Sequence, residues 1–286
     1  MEPFILDKIN TEPHSYQQLI TLYDNIKTCI IEDITIILKN WFAANLSAAL
    51  GGIIDEAASI NNIEISSPDK KILSVLQKNG FLAHYGHTKK YDSYNTTISY
   101  LKLKSQESRY FHEYVMTELL TQQELPEMTP QLKKKIAESI YEIFVNAQIH
   151  SGTDYIYTCG QFFPQKHRIE FTIVDRGIGF KNKVNQRFGR IYSSIKTIKW
   201  AIQDGNSTKI GIPGGIGLAI LIEFIKINKG KLQIISDDGF YQLSAEEEET
   251  YIFDSPFPGT IINMQFRTDD SNSYQLASEA NLNDIF

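Results

Sequence analysis

The clearest hydrophobic pattern in the chain lies between residues 129 and 151, where it predicts an α-helix. Apolar residues recur there at intervals of three and four, as on a helix face that packs against a core. They are Ile136, Ile140, Phe144 and Ala147. Thr129 can cap the first turn and Pro130 suits the first helical position, so these two residues predict where the helix begins. We expect the helix to run to Ser151.

Strand-like and helical patterns alternate along the first hundred residues. Apolar, β-branched runs predict strands over 34–38 and 63–66. Helical spacing predicts one helix over 46–60 and a second that begins at Pro68 and stops at Asn79-Gly80. The order strand, helix, strand, helix is typical of a small α/β layer.

A further strand and helix follow before the helix that begins at Pro130. Alternation over 94–103 predicts the strand, residues 105–121 predict the helix, and residues 122–129 form a connector. We therefore expect a domain boundary near residue 105.

The polar strip of the predicted helix over 129–151 carries Glu142, Asn146 and His150. Residues four apart lie along one side of an α-helix. An amide oxygen can ligate Mg²⁺, and a carboxylate one turn away can take a proton from an attacking water or hydroxyl. Taken alone, the strip is more typical of a solvated helix face. We expect His150 to cap or orient the helix end.

A second polar segment begins where a predicted strand ends. Residues 169–174 are apolar and β-branched, and they lead into Asp175-Arg-Gly177-Ile-Gly179. The Asp supplies a hydrogen-bond acceptor at the strand end, and the glycines let the backbone approach a ligand closely. Most isolated matches to Asp-x-Gly-x-Gly are merely tight turns.

A third segment, over 211–217, is rich in glycine and precedes an apolar helix that begins at Leu218. Such a loop leaves backbone N–H groups at a helix N-terminus open to phosphates. Its glycines also imitate the signature of short-chain dehydrogenases, so a nicotinamide-dependent oxidoreductase is an alternative. Two observations argue against an oxidoreductase. The loop follows polar residues instead of a first hydrophobic strand, and too little chain remains after Gly217 for a dinucleotide-binding sheet. The chain has no P-loop signature either.

Together with Pro258-Gly259-Thr260, these segments resemble the GHKL ATP-binding domain shared by DNA gyrase, the ATP-dependent heat-shock chaperone, histidine kinases and the mismatch-repair protein MutL. The resemblance covers about residues 106–267. Within that superfamily, Asn-Ala-x-x-His at 146–150 is similar to the anti-sigma-factor serine kinases. The resemblance implies an α/β fold of the α+β kind, a two-layer sandwich with the nucleotide between the helices and a mixed sheet.

The resemblance also implies roles for individual residues, with ATP and Mg²⁺ as cofactors. Glu142 would be the general base, Asn146 the Mg²⁺ ligand and Asp175 the acceptor for the adenine amino group. Gly177 and Gly179 would let the backbone run close to the base, and Thr260 would support the adenine pocket. The phosphates would be cradled by Gly214, Gly215 and Gly217, with Ile216 and Leu218 in the same nucleotide-binding segment. Residues 180–210 would form a lid, in which Lys209 is the cation we expect to contact phosphate.

Residues 1–105 resemble, in pattern alone, the STAS domain of anti-sigma-factor antagonists. In that family a serine after the first strand can accept phosphate, and Ser47 lies near that place. The family's Asp-Ser-Ser-Gly form is missing, so we favour a helix-capping role for Ser47. Residues 268–286 are polar and predict a flexible tail.

Composition limits the classes of partner. The 286 residues carry a net charge of −6, which argues against a general nucleic-acid or membrane-surface binder. Cys29 and Cys159 are too few for a disulfide framework or a zinc site. With no signal sequence or apolar run long enough to span a membrane, a cytoplasmic location is expected.

These observations lead us to expect a regulatory protein that binds Mg²⁺-ATP and either transfers the phosphoryl group, like a serine/threonine kinase, or hydrolyses ATP. An alternative is a non-catalytic module in which ATP only switches affinity for a protein partner. The expected partners are ATP or ADP and a regulatory protein, and the chain could form a homodimer.

Overall fold

The computed structural model describes residues 2–203 and 216–280 and shows a mixed α/β fold. Two open sheets organise it, one parallel and three-stranded, the other antiparallel and five-stranded. In this part of the chain no helix combines the length and the apolar character that crossing a bilayer would require.

The first unit alternates strands and helices around the parallel sheet. In chain order its elements are β1 (Phe4–Ile9), α1 (Pro13–Ile26), β2 (Asp33–Phe42), α2 (Ser47–Ala57), β3 (Asn62–Ser66) and α3 (Lys70–Lys78). The strand order is β1-β2-β3. Both strands and both helices predicted over 34–80 are confirmed, with α3 ending before Gly80 in the left-handed conformation (φ 85°). The sequence analysis did not predict β1 and α1.

The larger sheet has the order β4-β6-β7-β9-β8. The strands that follow β3 are β4 (Thr97–Lys104), β5 (Glu127–Met128), β6 (Tyr155–Phe163), β7 (Arg168–Asp175), β8 (Lys231–Ser244), β9 (Glu248–Arg267) and β10 (Ser273–Tyr274). Every pairing in this sheet is antiparallel, so the mixed sheet that the resemblance implied is wrong here. β4 pairs with β6 although it precedes the boundary predicted near 105.

Helices cover one face of the larger sheet. They are α4 (Ser108–Tyr114), which continues as a π-helical turn over Val115–Leu119, then α5 (Pro130–His150), α6 (Gly179–Phe188), α7 (Ser194–Ile202) and α8 (Ile216–Ile227). A short helix, α9 (Ala277–Ala280), follows β10. α5 begins as predicted, because Thr129 Oγ1 accepts a hydrogen bond from Leu132 N at 3.2 Å. Its apolar stripe is buried, and the Phe144 ring stacks on Phe111 at 4.5 Å.

The opposite face of the larger sheet is covered by α1 and α2, whose core includes buried side chains of both sheets. β7 is therefore buried on both faces. Ile169, Phe171 and Ile173 lie in the core under the helices, and Val174 lies in the opposite core, where Glu170 and Thr172 are also buried. A buried polar network also joins the two units. Asn45 Nδ2 donates to Glu170 Oε2, Thr172 Oγ1 and Asn263 Oδ1 at 3.0 to 3.2 Å.

Two predictions differ from the structure. Ser47 is fully buried, and Leu46 occupies the N-cap position of α2, so the capping role is wrong. Instead, Ser47 Oγ accepts a hydrogen bond from Asn79 Nδ2 at 3.1 Å. The segment that was predicted to be a flexible tail is partly ordered, because β10 pairs with β5 and the Tyr274 ring lies 5.3 Å from that of Phe224.

Candidate functional site

The candidate site lies where β7 ends beside the C-terminus of α5. Ile178 N donates to the Ser151 carbonyl at 2.9 Å. Gly177 lies so close to Ser151 that a Cβ added there would overlap it. These contacts fix the end of α5 against the loop that follows Asp175. Asn146 lies five residues before Ser151, which is about 7.5 Å along the helix axis.

Asp175 is a buried carboxylate at this junction, with 7% of the residue exposed. Burial raises its pKa from 3.8 to about 7, although hydrogen bonds from Gly177 N, at 2.8 Å, and from the Thr260 side chain act in the opposite direction. Thr260 is the register partner of Asp175 on β9. None of the ion pairs in the described part of the chain involves Asp175. Among these ion pairs the carboxylate thus has no cation that would offset the free-energy cost of its desolvation.

The N-terminus of α6 is already occupied by acceptors from β8. Phe180 N donates to Ser236 Oγ at 2.8 Å, and Lys181 N donates to Asp237 Oδ2 at 3.2 Å. Gly179 has a φ of 72°, and a Cβ there would lie 2.6 Å from Asp237 Oδ2. Because a carboxylate already binds this helix terminus, its first backbone N–H groups are not open to a phosphate.

Glu142 and Asn146 lie one turn apart on α5, and both are half-buried. Among the described residues, neither side chain has a hydrogen-bond partner, so both have polar atoms available to a ligand. α8 packs against α5. Its first two residues are Ile216 and Gly217, whose surroundings lie outside the described part of the structure. Leu218 is half-buried against the core of the helical face. Lys209, Gly214 and Gly215 lie outside the described residues, as does the side chain of His150.

The described part of the predicted lid consists of α6 and α7, and α7 packs on β8. Ile198 is fully buried, and Ser194 Oγ donates to Asp238. Two of the lid cations are paired with acids: Lys199 Nζ lies 2.7 Å from Glu248, and Lys181 Nζ lies 3.6 Å from Asp238.

Arg176 connects the candidate site to the first unit. Its Nη2 lies 2.9 Å from Glu56 Oε2 on α2, and its guanidinium carbon lies 5.3 Å from the centre of the Tyr23 ring on α1. Its Nε is buried without a hydrogen-bond partner among the described atoms. The residue next to Asp175 is therefore held by both helices that cover the back of the sheet.

Sequence reasoning missed Arg176, Ser236 and Asp237. The partners of Arg176 are more than a hundred positions away in the chain, so no local pattern could reveal them. A signal for Asp237 was present, because Ser236-Asp-Asp-Gly239 is a polar, turn-like interruption of an apolar strand. The structure shows a β-bulge at that point, with Asp237 at a φ of 53°.

One described cavity lies elsewhere. It has a volume of about 420 Å³ and is lined by Glu127, Met128, Thr129, Ser273, Tyr274 and Gln275. Thr129 precedes the first residue of α5, whereas Asp175 lies near the last, about 30 Å away along that helix. The cavity contains none of the predicted site residues.

Residues 2–203 and 216–280 hold no group of three or more His, Cys, Asp or Glu side chains arranged to bind a metal ion. An Asn-held Mg²⁺ that shares its remaining ligands with a nucleotide would not form such a group. No family model matches the chain, and no curated protein is significantly similar to it in sequence.

Proposed function

We propose that this chain is a regulatory protein that binds Mg²⁺-ATP and transfers its phosphoryl group or hydrolyses it. The observation that carries the proposal is Asp175, a buried carboxylate whose pKa is raised to about 7 and which has no described cation. Strongly perturbed acids in positions of this kind are enriched at functional sites. The end of the helix that bears Glu142 and Asn146 is fixed beside it through Ser151.

The residues around Asp175 suit an adenine base. The exocyclic amino group of adenine would donate a hydrogen bond to the carboxylate and replace part of its lost hydration. A hydrogen bond to a charged acceptor is stronger where water is excluded. A guanine base would present a carbonyl oxygen at the same place and leave the carboxylate facing another acceptor. The chain should therefore prefer ATP to GTP.

The strip on α5 would serve the phosphate end of the nucleotide. Asn146 would hold Mg²⁺, which neutralises charge on the polyphosphate when bound. Glu142 would accept the proton of the attacking water or hydroxyl. Because Ser47 is fully buried, a phosphoryl acceptor in the folded protein would have to be another residue or another molecule.

Isothermal titration with ATP and GTP, with and without Mg²⁺, tests the binding step, and phosphate release tests turnover. We expect Asn146→Ala to lose the Mg²⁺ dependence of affinity, and Glu142→Ala to bind nucleotide without releasing phosphate. Gln148→Ala removes a half-buried amide from the same helix and is the matched control. Retained turnover in both site variants would remove the mechanism, and absence of heat with any adenine nucleotide would remove the proposal.

A second candidate is a module in which ATP only switches affinity for a protein partner. The contacts of Arg176 with α1 and α2 favour it, because they link the nucleotide end of β7 to the first unit. It predicts tight binding with negligible turnover. An oxidoreductase is disfavoured by the antiparallel sheet, since dinucleotide folds use parallel strands, and NAD(P) serves as the negative control ligand.

A further inference from the structure

The last part of the loop between α3 and β4 is braced by a single carboxylate. Asp92 Oδ2 accepts hydrogen bonds from Thr96 N and Thr97 N, both at 2.8 Å, and from Thr97 Oγ1 at 2.9 Å. Asp92 Oδ1 lies 3.2 Å from Lys78 Nζ. Burial acts to raise the pKa of Asp92, yet these bonds outweigh it and the pKa is lowered. The negative charge is thus satisfied by the loop backbone, Thr97 and the end of α3.

This braced loop presents two tyrosines to solvent. Tyr91 is 88% exposed and Tyr94 is 78% exposed, the highest values among the tyrosines of the described chain. The loop is also joined to α3, because Lys90 N donates to the Gln77 carbonyl at 3.1 Å. Exposed tyrosines offer large contact area with few rotatable bonds and are enriched where proteins bind one another.

Two lysines precede the tyrosines in the same loop. Lys89 and Lys90 are exposed, and neither takes part in an ion pair within the described residues. The Lys78 ammonium lies 5.4 Å from the centre of the Tyr94 ring, but Asp92 offsets its charge, so the excess positive charge comes from Lys89 and Lys90. We refer to Lys78, Lys89, Lys90, Tyr91 and Tyr94 as the Lys-Tyr surface. It is a local basic region on a chain whose net charge is −6.

The Lys-Tyr surface lies at the opposite end of the larger sheet from Asp175. Thr97, the first residue of β4, pairs with Gln161 on β6, whereas Asp175 pairs with Ile156 on the same strand. Five residues separate those two positions, or about 17 Å along the strand. A ligand at this surface would not touch the candidate nucleotide site.

We infer that the Lys-Tyr surface binds an acidic peptide segment of a partner protein, one that carries aliphatic or aromatic side chains among its carboxylates. The lysines would attract the carboxylates and speed encounter, while the tyrosines would supply the buried apolar contact. A short segment fits this small basic region, whereas a long polyanion would also meet the acidic remainder of the chain. The inference does not depend on ATP binding.

Fluorescence anisotropy at low salt tests it, with a labelled peptide of Glu-Glu-Leu repeats as the probe. We expect saturable binding that weakens about tenfold or more in Lys89→Glu/Lys90→Glu, since reversed charges repel the peptide. Tyr91→Ser/Tyr94→Ser should weaken it about fivefold or more. Lys133→Glu/Lys134→Glu makes the same charge change on α5, where Lys133 is half-buried and Lys134 exposed, and should leave the binding within about twofold.

Three outcomes would overturn the inference. They are the absence of saturable binding, equal weakening in the surface variant and the α5 control, and unchanged binding when both tyrosines are replaced. A Gln-Gln-Leu peptide should not bind. A single-stranded oligothymidylate that bound more tightly than the acidic peptide, and lost that binding in Lys89→Glu/Lys90→Glu, would assign the surface to nucleic acid instead. Unchanged thermal unfolding of each variant shows that the fold is kept.

Discussion

Replacing Asp175 by Asn should stabilise the protein while weakening its binding of nucleotide. The folded-state pKa of Asp175 is raised to about 7, against 3.8 for an ordinary Asp. The folded protein therefore holds this proton more tightly than the unfolded chain does. Stability is lost as pH rises from about 4 to about 7, and the loss is then constant. An amide of the same shape carries no charge, so it avoids this cost and still accepts from Gly177 N.

The magnitude follows from the pKa difference. At about 1.4 kcal/mol per pKa unit, burying this carboxyl group costs about 4 kcal/mol at pH 8 and less than half of that at pH 5, where the folded protein keeps it protonated. We therefore expect Asp175→Asn to raise the free energy of unfolding at pH 8 by roughly 2–4 kcal/mol, with a smaller gain at pH 5. Urea unfolding at both pH values measures it. For ATP, losing the charged acceptor should weaken affinity by about 10- to 100-fold.

The control is Glu170→Gln, on the same strand. Glu170 is also buried, and burial raises its pKa, but its Oε1 lies 2.7 Å from Arg168 Nε and it faces the first unit. Removing its charge also removes the contact with Arg168, so we expect a smaller gain in stability than for Asp175→Asn, and unchanged ATP affinity. If Asp175→Asn is no more stable than the wild type at pH 8, or its gain does not vary with pH, the burial argument is refuted. If ATP affinity is unchanged, the role in binding is refuted.

Three further predictions concern the junctions around the site. Arg176→Ala should lower stability by about 1 kcal/mol in thermal unfolding, because it removes the contact with the Tyr23 ring and an ion pair with Glu56, which is largely exposed. An effect no larger than that of Glu56→Gln would argue that the ring contact contributes nothing. Gly177→Ala should cost about 1–3 kcal/mol, since the new methyl overlaps Ser151, and unaltered unfolding would mean that the loop can shift. Asn45→Ala should cost about 2–4 kcal/mol, because it removes the donor to buried Glu170 Oε2 and Thr172 Oγ1, and a neutral result in urea unfolding would show that they find other partners.

Local patterns were sufficient to predict α5 and β7. Thr129 and Pro130 set the start of α5, and its buried stripe follows the sequence spacing. The polar segment after β7 was also found, because an acid followed by two glycines at a strand end is a local signal. The roles given to Glu142, Asn146 and the glycine-rich loop remain predictions.

Long-range features could not be read from the sequence. The run of β7 indicated a strand, but not that α1 and α2 bury its second face. Ser47 is part of an apolar helix start, and only the tertiary packing against Asn79 removes it from solvent. The pairing of β4 with β6 joins residues more than fifty positions apart, so a boundary drawn from local composition divides one sheet.

That pairing has a consequence for any shortened form of the protein. In the whole chain β4 is the outermost strand and carries Lys102 and Lys104, charges that discourage intermolecular strand addition. A fragment starting at residue 106 would lack it and leave β6, which has no charged residue, with unpaired N–H and C=O groups along one side. Such a fragment would offer its neighbours a template for aggregation.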